Sequence, residues 1–364
     1  MSLLISLIGI ILTIVLVIGI HECGHFLAAR WLGVKVLRFS IGFGKALWRR
    51  SDKKGTEYVL AAIPLGGYIK MLDEDEGHVP ENQRHLAFNR QPFYKKFLIV
   101  AAGPFANLVL AFVLYWLLFV VGFTSMAPVI GKVAPHSIAF NAGLKSQQEI
   151  ISIDNTPTTS WMSVIIRIYS HAGETDQLQI ETKPLGGQTS QKHILDLTHW
   201  HMNDLKPDPL DSLGFLPYEP EFQWPKGMLR QVQYNPVAAL PHAWRSTYDF
   251  VWLNFLVVGK LLTGKASLQS LGGPISIFQS AGQAINQGIA PFMSFLAFIS
   301  ISIGTINIFP IPGLDGGHLL FQTIEAIIRR PIPQRVLILF YRLGVILLLL
   351  LVFHAITNDI LRLT

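Results

Sequence analysis

The chain has 364 residues, of which 51% are hydrophobic and 14% charged, and its formal net charge is +6. Soluble globular proteins carry about 25% charged residues, so this composition excludes an ordinary soluble domain and predicts a polytopic α-helical membrane protein. The positive charge is interpreted as a topology signal, since no basic stripe with interleaved aromatic residues indicates a nucleic-acid partner.

The first apolar run predicts a membrane span over residues 1–29. Residues 2–20 contain no charged side chain, and about 20 residues at about 1.5 Å each cross the hydrocarbon core. A cleaved signal peptide is the competing interpretation. The run lacks a basic start and an Ala-x-Ala pattern, however, and it continues into a polar motif, so we expect a retained helix.

That motif is His21-Glu22-Cys23-Gly24-His25. His21 and His25 are one helical turn apart, so both imidazoles leave the same face and can bind zinc, with Glu22 beside them as a proton acceptor. The alternative is a surface helix with incidental His and Glu, because HExxH occurs by chance in many proteins. Ionisable groups in a membrane span are costly and mark functional sites, which favours a metal site. Cys23 is expected to be a plain small residue of the helix.

Residues 30–96 predict a cytoplasmic loop. They contain 13 Lys or Arg and 7 Asp or Glu, which by the positive-inside rule places the N-terminus outside and HExxH near the cytoplasmic face. Residues 36–44 and 56–70 have strand character and predict a β-hairpin. The hairpin either lies in the cytoplasm or dips toward the active site as a re-entrant element that offers a strand edge to an unwound substrate.

The second predicted span covers residues 97–123. Its Gly103-Pro104 pair is expected to interrupt the helix and free backbone groups. Asn107 is a polar group at a depth similar to that of the histidines. It serves either as an interhelical hydrogen-bonding group or directly in catalysis.

Residues 126–218 are polar and turn-rich and predict one small extracytoplasmic α+β domain. Segments 135–144 and 149–154 resemble a PDZ domain, a fold that binds peptides as an added strand; a generic α+β domain is the alternative. Residues 219–287 predict a juxtamembrane amphipathic segment. Within it, residues 244–262 either span the membrane or lie in its interface. The next span must run inward so that its end reaches the depth of HExxH. A crossing by residues 244–262 would reverse that direction, so the interface is favoured.

The third predicted span, residues 288–318, ends in a broken segment. Pro310 and Pro312 stop the helix, and nearby glycines let the chain turn, so Asp315 can be aimed at a point. Catalytic zinc needs a third protein ligand and an open position. Asp315 fits that need, and His318 is a rival ligand. A fourth span covers residues 335–357.

Three motifs together resemble the site-2 protease family of intramembrane zinc metalloproteases: His-Glu-Cys-Gly-His at 21–25, Gly-Pro-Phe-Ala-Asn at 103–107 and the Asn-Ile-Phe-Pro-Ile-Pro-Gly-Leu-Asp-Gly-Gly-His run at 307–318. The resemblance covers essentially the whole chain. It implies zinc ligation by His21, His25 and Asp315, with Glu22 as general base. It also implies that Asn307 contacts substrate or intermediate and that the hairpin presents substrate as an added strand, through Gly42, Gly44, Gly66, Gly67 and Tyr68. Supporting roles fall to Asn107, Pro310 and Pro312.

The implied function is hydrolysis of peptide bonds within or near the membrane span of single-span proteins. Expected substrates are anti-sigma-factor-like proteins of envelope stress signalling, often pre-cut by a site-1 protease, and remnant signal peptides, in the bacterial inner membrane. Two features depart from the family. Cys23 stands where an apolar or aromatic residue is common, and there is room for one PDZ-like domain rather than two in tandem. The alternatives are a non-catalytic PDZ receptor with a structural zinc and a zinc transporter.

Overall fold

The structure is a computed structural model and describes residues 2–75, 77–202, 208–219, 225, 227–265, 267–270 and 272–363. Its α-helices are α1 (Ser2–Trp31), α2 (Phe93–Val121), α3 (Ile138–Asn141), α4 (Trp161–Ser170), α5 (Pro209–Leu213), α6 (Pro236–Leu262), α7 (Pro274–Gln287), α8 (Ile289–Ile306), α9 (Asp315–Ile328) and α10 (Gln334–Leu363). Its strands are β1 (Val36–Ser51), β2 (Glu57–Met71), β3 (Phe123–Met126), β4 (Ile130–Val133), β5 (Gln148–Ile153), β6 (Thr156–Pro157), β7 (Gln177–Pro184), β8 (Gln191–Asp196), β9 (Phe215–Pro217) and β10 (Leu229–Val232).

Four helices of the described residues are long and apolar enough to cross a membrane, namely α1, α2, α8 and α10. Each overlaps one of the four predicted spans, although α8 ends at Ile306, before the predicted end at residue 318. The protein is therefore a polytopic membrane protein. Many of their large apolar side chains are exposed in the protein alone, Leu349 at 63% and Phe353 at 71% among them, as expected for surfaces that contact lipid.

The prediction of an interrupted second span is wrong. Helix α2 continues from Phe93 to Val121 with Pro104 in its interior. A proline there removes one backbone N–H and crowds the carbonyl four residues earlier, but apolar spans tolerate this because neighbouring helices and small local adjustments absorb it.

The chain divides into two compact units. Unit 1 comprises Met1–Tyr115 and Pro274–His354, and unit 2 comprises Trp116–Gly273 and Ala355–Thr364. In unit 1, β1 and β2 pair as an antiparallel ladder from Val36↔Met71 to Ser51↔Glu57, with several register shifts. The base of this ladder packs with the end of α1 in a small core formed by Phe26, Ala29, Val34, Val36 and Ile99.

Unit 2 contains a four-stranded antiparallel sheet in the order β6-β5-β7-β8 and two two-stranded ribbons, β4-β9 and β3-β10. Helix α4 begins with a capping box at Ser160 and Ser163 and buries Val164 and Ile168 against the sheet. Residues 129–198 contain strands β4 to β8 and helices α3 and α4.

Candidate metal centre

Helix α1 brings two imidazoles together. His21 and His25 lie one turn apart, are 8% and 7% exposed, and hold their Nε2 atoms 3.2 Å from each other. The two rings meet edge to face with centroids 4.8 Å apart. Both side chains therefore aim one nitrogen at the same point beside the helix.

The third group comes from the other end of the sequence. Helix α8 ends at Ile306, the chain turns through Gly313 (φ +88°), and α9 begins at Asp315. The turn is closed by a 2.6 Å hydrogen bond from the Gly316 N–H to the Asn307 carbonyl. Oδ2 of Asp315 lies 3.0 Å from His21 Nε2 and 3.3 Å from His25 Nε2. A carboxylate in the first turn of a helix is favoured by the helix dipole.

These three atoms fit a zinc ion. Zinc binds His nitrogen and carboxylate oxygen at about 2.0–2.2 Å in tetrahedral geometry, so neighbouring ligand atoms lie roughly 3.3 Å apart. The observed separations are 3.0, 3.2 and 3.3 Å. His21, His25 and Asp315 form the one group of three or more such ligands in the described part of the chain. Oδ2 of Asp315 is buried without a hydrogen-bond donor, as expected of an atom whose partner is a cation.

Contacts behind the imidazoles determine which nitrogen of each ring is free to bind a metal. His25 Nδ1 lies 2.8 Å from the Ile99 carbonyl. Because a carbonyl only accepts, Nδ1 carries the hydrogen and Nε2 keeps a lone pair that is free to bind a metal. The side chain of Asn107, which is fully buried, lies 3.3 Å from His21 Nδ1. When the amide of Asn107 is oriented with its oxygen toward the ring, that oxygen accepts the hydrogen on His21 Nδ1. This orientation also gives Asn107 Oδ1, which is buried and otherwise has no hydrogen-bond partner, a donor.

Glycines allow the surrounding backbone to approach the site. A Cβ at position 103 would lie 2.1 Å from His25 Nε2, and one at position 24 would lie 2.3 Å from the Ala102 carbonyl oxygen. Helices α1 and α2 therefore touch at the level of His21 and His25. A Cβ at position 67 would lie 2.8 Å from Cγ of Glu22, so β2 passes directly against the side chain next to the ligands.

Other residues predicted for the site lie farther from its centre. The Asn307 side chain caps its own helix by donating to the Ile303 carbonyl at 3.0 Å. His318 is outside the ligand group, and its Nδ1 pairs with the Tyr341 hydroxyl at 2.9 Å. Pro310 and Pro312 lie in the turn between α8 and α9.

The predicted hairpin residues belong to the β1-β2 ladder. They are Gly42, Gly44, Gly66, Gly67 and Tyr68. The backbone of Gly67 lies against the side chain of Glu22. The Tyr68 ring stacks on Phe43 at 6.0 Å, and its hydroxyl accepts from Arg38 at 3.1 Å. Three of the glycines have positive φ angles, namely Gly42, Gly44 and Gly66.

Sequence reasoning missed three contributors to the site. The Ile99 carbonyl orients His25, but every residue has a carbonyl and no side-chain pattern marks this one. The Gly103-Pro104 pair indicates a helix break in the sequence, whereas in the structure Gly103 makes room for the His25 ring. Gly344 of α10 allows that helix to approach the turn that carries Asp315, since a Cβ there would lie 2.2 Å from Cβ of Pro312.

Four apolar helices and a buried two-histidine, one-carboxylate centre with an adjoining glutamate define a membrane-embedded metallopeptidase. The comparison with protein families agrees with this class. The chain belongs to peptidase family M50, whose model matches residues 9–351.

Curated relatives match the chain over its full length. The chain is 37% identical to a protein named protease RseP from Yersinia pestis and 35% identical to the regulator of sigma-E protease RseP from Escherichia coli K12, with all of each chain covered. It is 32% identical to a putative zinc metalloprotease from Vibrio cholerae, with 98% of this chain and 99% of that protein covered. The alignment with the Yersinia protein extends over 451 positions, which exceeds the 364 residues of this chain by 87.

Proposed function

We propose that this protein is an intramembrane zinc protease that hydrolyses peptide bonds within or near the membrane span of single-span proteins. The observation that carries the proposal is the convergence of His21, His25 and Asp315 at separations of 3.0–3.3 Å. These three side chains are the zinc ligands, and three protein ligands leave the fourth tetrahedral position open for reaction.

Glu22 is the general base in this proposal. Bound zinc supplies Lewis-acid polarisation of the scissile carbonyl and of the attacking water. The oxygen of the attacking water bonds to the carbonyl carbon, and Glu22 accepts the proton that the water loses. It then delivers that proton to the amide nitrogen as the C–N bond breaks. Asn107 and the Ile99 carbonyl hold the two imidazoles in the tautomer that directs Nε2 inward.

The substrate helix must unwind before it is cut, because helical amides are shielded by their own hydrogen bonds. We assign substrate presentation to the β1-β2 hairpin as a membrane-associated element, through strand addition along its Gly42, Gly44 and Gly66–Tyr68 segment. The contact between Gly67 and Glu22 supports this assignment. Asn307, at the C-terminal end of α8, is assigned to contact the substrate or the intermediate.

The names of the relatives support a place in sigma-E regulation. The expected substrates are anti-sigma-factor-like proteins with one span, often cut first by a site-1 protease. The expected location is the inner membrane of a bacterium. The excess of Lys and Arg over residues 30–96 supports a cytoplasmic position for that loop and an active site near the cytoplasmic side.

We assign residues 126–218 to one periplasmic PDZ-like domain. Strand β9 follows Gly214 and pairs with β4 on one edge, and the ring of Phe215 lies 6.5 Å from that of Trp161 at the start of α4. Within the described residues, the one strand that pairs with β9 is β4. The other edge of β9 is therefore open, which supports peptide binding there by strand addition. The 87 alignment positions that this chain does not fill correspond to about one small domain.

Residues 244–262, in α6, are assigned to the membrane interface. Trp244, Tyr248 and Trp252 follow one another at one-turn spacing and are 50–66% exposed, whereas Thr247 and Phe250 on another face are buried. Aromatic side chains at the headgroup level are typical of interfacial helices.

The proposed function is tested by incubating the purified protein with a single-span, anti-sigma-factor-like substrate, with and without a zinc chelator. We expect cleavage within or beside the substrate span, loss of cleavage with chelator, and recovery when zinc is restored. The Asp315→Ala variant should be inactive and should contain little zinc by elemental analysis. Cleavage that survives complete removal of zinc would contradict the proposal.

The rival function is a peptide receptor with a structural zinc, which requires a fourth protein ligand. His318 is the nearest candidate by sequence, and its pairing with Tyr341 favours the catalytic assignment instead. X-ray absorption of the zinc-loaded protein distinguishes the two, since three protein ligands plus one water oxygen are expected. Three histidine ligands in the spectrum would support the rival.

A further inference from the structure

A cavity of about 390 Å³ opens where α1 ends and β1 begins. Its cationic and polar lining side chains are Arg30, Lys35, Lys54, Thr56 and Gln83. This basic cavity lies outside the metal centre and contains none of the residues assigned to catalysis. Its volume is in the range of small-molecule sites, roughly 300–1,000 Å³.

The charge in the basic cavity is cationic and partly pre-organised. Arg30 donates to the carboxylate of Asp52 and, at 3.0 Å, to the hydroxyl of Thr56, so its guanidinium is fixed at the cavity wall. Lys35 Nζ donates to Gln83 at 2.8 Å, which uses one of its three hydrogens. Lys54 is exposed at the rim. The three cations Arg30, Lys35 and Lys54, together with the carboxylate of Asp52, give a local net charge of +2.

The end of α1 also defines the depth of the basic cavity in the membrane. Trp31, the last residue of that candidate span, is 86% exposed, and Tyr94, at the start of the α2 span, is 57% exposed. Lys95 Nζ donates to the Leu32 carbonyl at 2.9 Å and joins the two helix ends. Aromatic and basic side chains at span ends lie at the level of the lipid headgroups. The basic cavity is therefore at headgroup height.

We propose that the basic cavity binds the phosphate group of an anionic phospholipid. Lys35 and Lys54 provide charge-assisted donors to the phosphate oxygens, as lysines do at other phosphate sites, and the fixed Arg30 adds positive potential. An anionic headgroup is favoured over a zwitterionic one because it carries no positive charge of its own to face the three cations. The Thr56 hydroxyl donates to the Val36 carbonyl at 2.8 Å, so the bound lipid would also anchor the base of the β1-β2 ladder.

Native mass spectrometry of the full chain, purified in a non-ionic detergent and titrated with phosphatidylglycerol or phosphatidylcholine, tests the proposal. We expect one lipid-binding site with about tenfold tighter binding of phosphatidylglycerol. The Lys35→Gln/Lys54→Gln variant should lose this preference, and the single Lys54→Gln variant, which changes only an exposed side chain, should lose part of it. Lys53→Gln is the matched control, because it makes the same charge change one residue away, outside the cavity lining.

Three results would overturn the proposal. Equal binding of the two lipids would show that the basic cavity does not recognise the charge of the headgroup. An equal loss of preference in Lys53→Gln and Lys54→Gln would show that diffuse surface charge, rather than the basic cavity, attracts the lipid. Displacement of the lipid by millimolar inorganic phosphate would identify the free anion, rather than a phospholipid, as the ligand.

Discussion

Gly103 packs its backbone directly against the ring of His25. A Cβ at this position would lie 2.1 Å from Nε2, the nitrogen that points to His21 and Asp315. A separation below 3.0 Å cannot be accommodated without movement, and the His25 ring is itself held from behind by the Ile99 carbonyl. The His25 ring on α1 can therefore occupy its observed position only because residue 103 on α2 has no side chain.

We predict that Gly103→Ala lowers zinc content and protease activity together, because the added methyl group moves His25 off the ligand position. Elemental analysis of the purified variant and a cleavage assay measure both. Gly19→Ala is the matched control on α1, since its Cβ would meet only the Ile41 side chain at an ordinary 3.6 Å. Normal zinc content in Gly103→Ala would show that the site relaxes around the methyl group.

Glu22→Gln should separate metal binding from chemistry. The amide has nearly the same shape as the carboxylate but cannot accept the proton of the attacking water, so the rate of cleavage should fall about 10²–10⁴-fold. Zinc content should stay normal, because Glu22 is not one of the three proposed ligands. Cys23→Ala, which changes the next residue on α1, should retain activity. Cleavage at the normal rate by the Glu22→Gln variant would show that Glu22 is not the general base.

Sequence reasoning was strongest where a physical requirement leaves a local trace. The spans are predictable because crossing lipid demands about 20 apolar residues. Helical periodicity predicts the pairing of His21 and His25, and the need for a third ligand beside a helix break points to Asp315. In each case the requirement acts on residues that are close in sequence, or on a residue type that zinc demands.

Features set by distant contacts left no such trace. Gly103-Pro104 has the composition of a helix break, yet α2 is continuous, and the glycine is explained by a ring on another helix. Strand β1 extends to Ser51, although its outer half, with Lys45, Arg49 and Arg50, lacks an apolar alternation. Pairing with β2 over Arg49↔Val59 and Ser51↔Glu57 stabilises that half, and backbone pairing requires no particular side chain.

Asn107→Ala should weaken zinc binding about 10- to 100-fold, as is typical when the hydrogen-bond partner of a metal-bound histidine is removed. The physical reason is that His21 loses the group that fixes its tautomer and ring orientation. Competition with a chromophoric chelator measures the zinc affinity. Asn107→Asp should largely restore it, because a carboxylate also accepts the Nδ1 hydrogen.

Ser300→Ala is the control for Asn107→Ala. Ser300 is buried beside Asn107 and donates to its backbone carbonyl at 2.8 Å, without touching an imidazole. Its loss should leave zinc affinity within about twofold of the starting value, since metal-affinity effects require an oriented ligand. Equal weakening by Ser300→Ala would attribute the effect of Asn107→Ala to general packing.

The turn between β1 and β2 is expected to lose stability at low pH through Asp52. Burial raises the pKa of the Asp52 carboxyl, but hydrogen bonds from Arg30 and from the backbone N–H groups of Thr56 and Lys54 outweigh burial and lower that pKa to about 2. An unfolded aspartate titrates near 3.9. A depressed pKa in the folded state means that the ionised carboxylate contributes stability above about pH 3.9, and that this contribution disappears as the pH falls through about 2.

Comparison of the wild type with Asp52→Asn isolates this contribution, because all other titrating groups are shared. The difference in melting temperature should be constant at about pH 5–8 and should shrink below about pH 4 as the wild-type carboxylate takes up its proton. Asp75→Asn, an exposed change on the chain after β2, should show no difference at any pH. A difference for Asp52→Asn that stays constant down to about pH 2 would mean that the carboxylate's charge does not stabilise the turn.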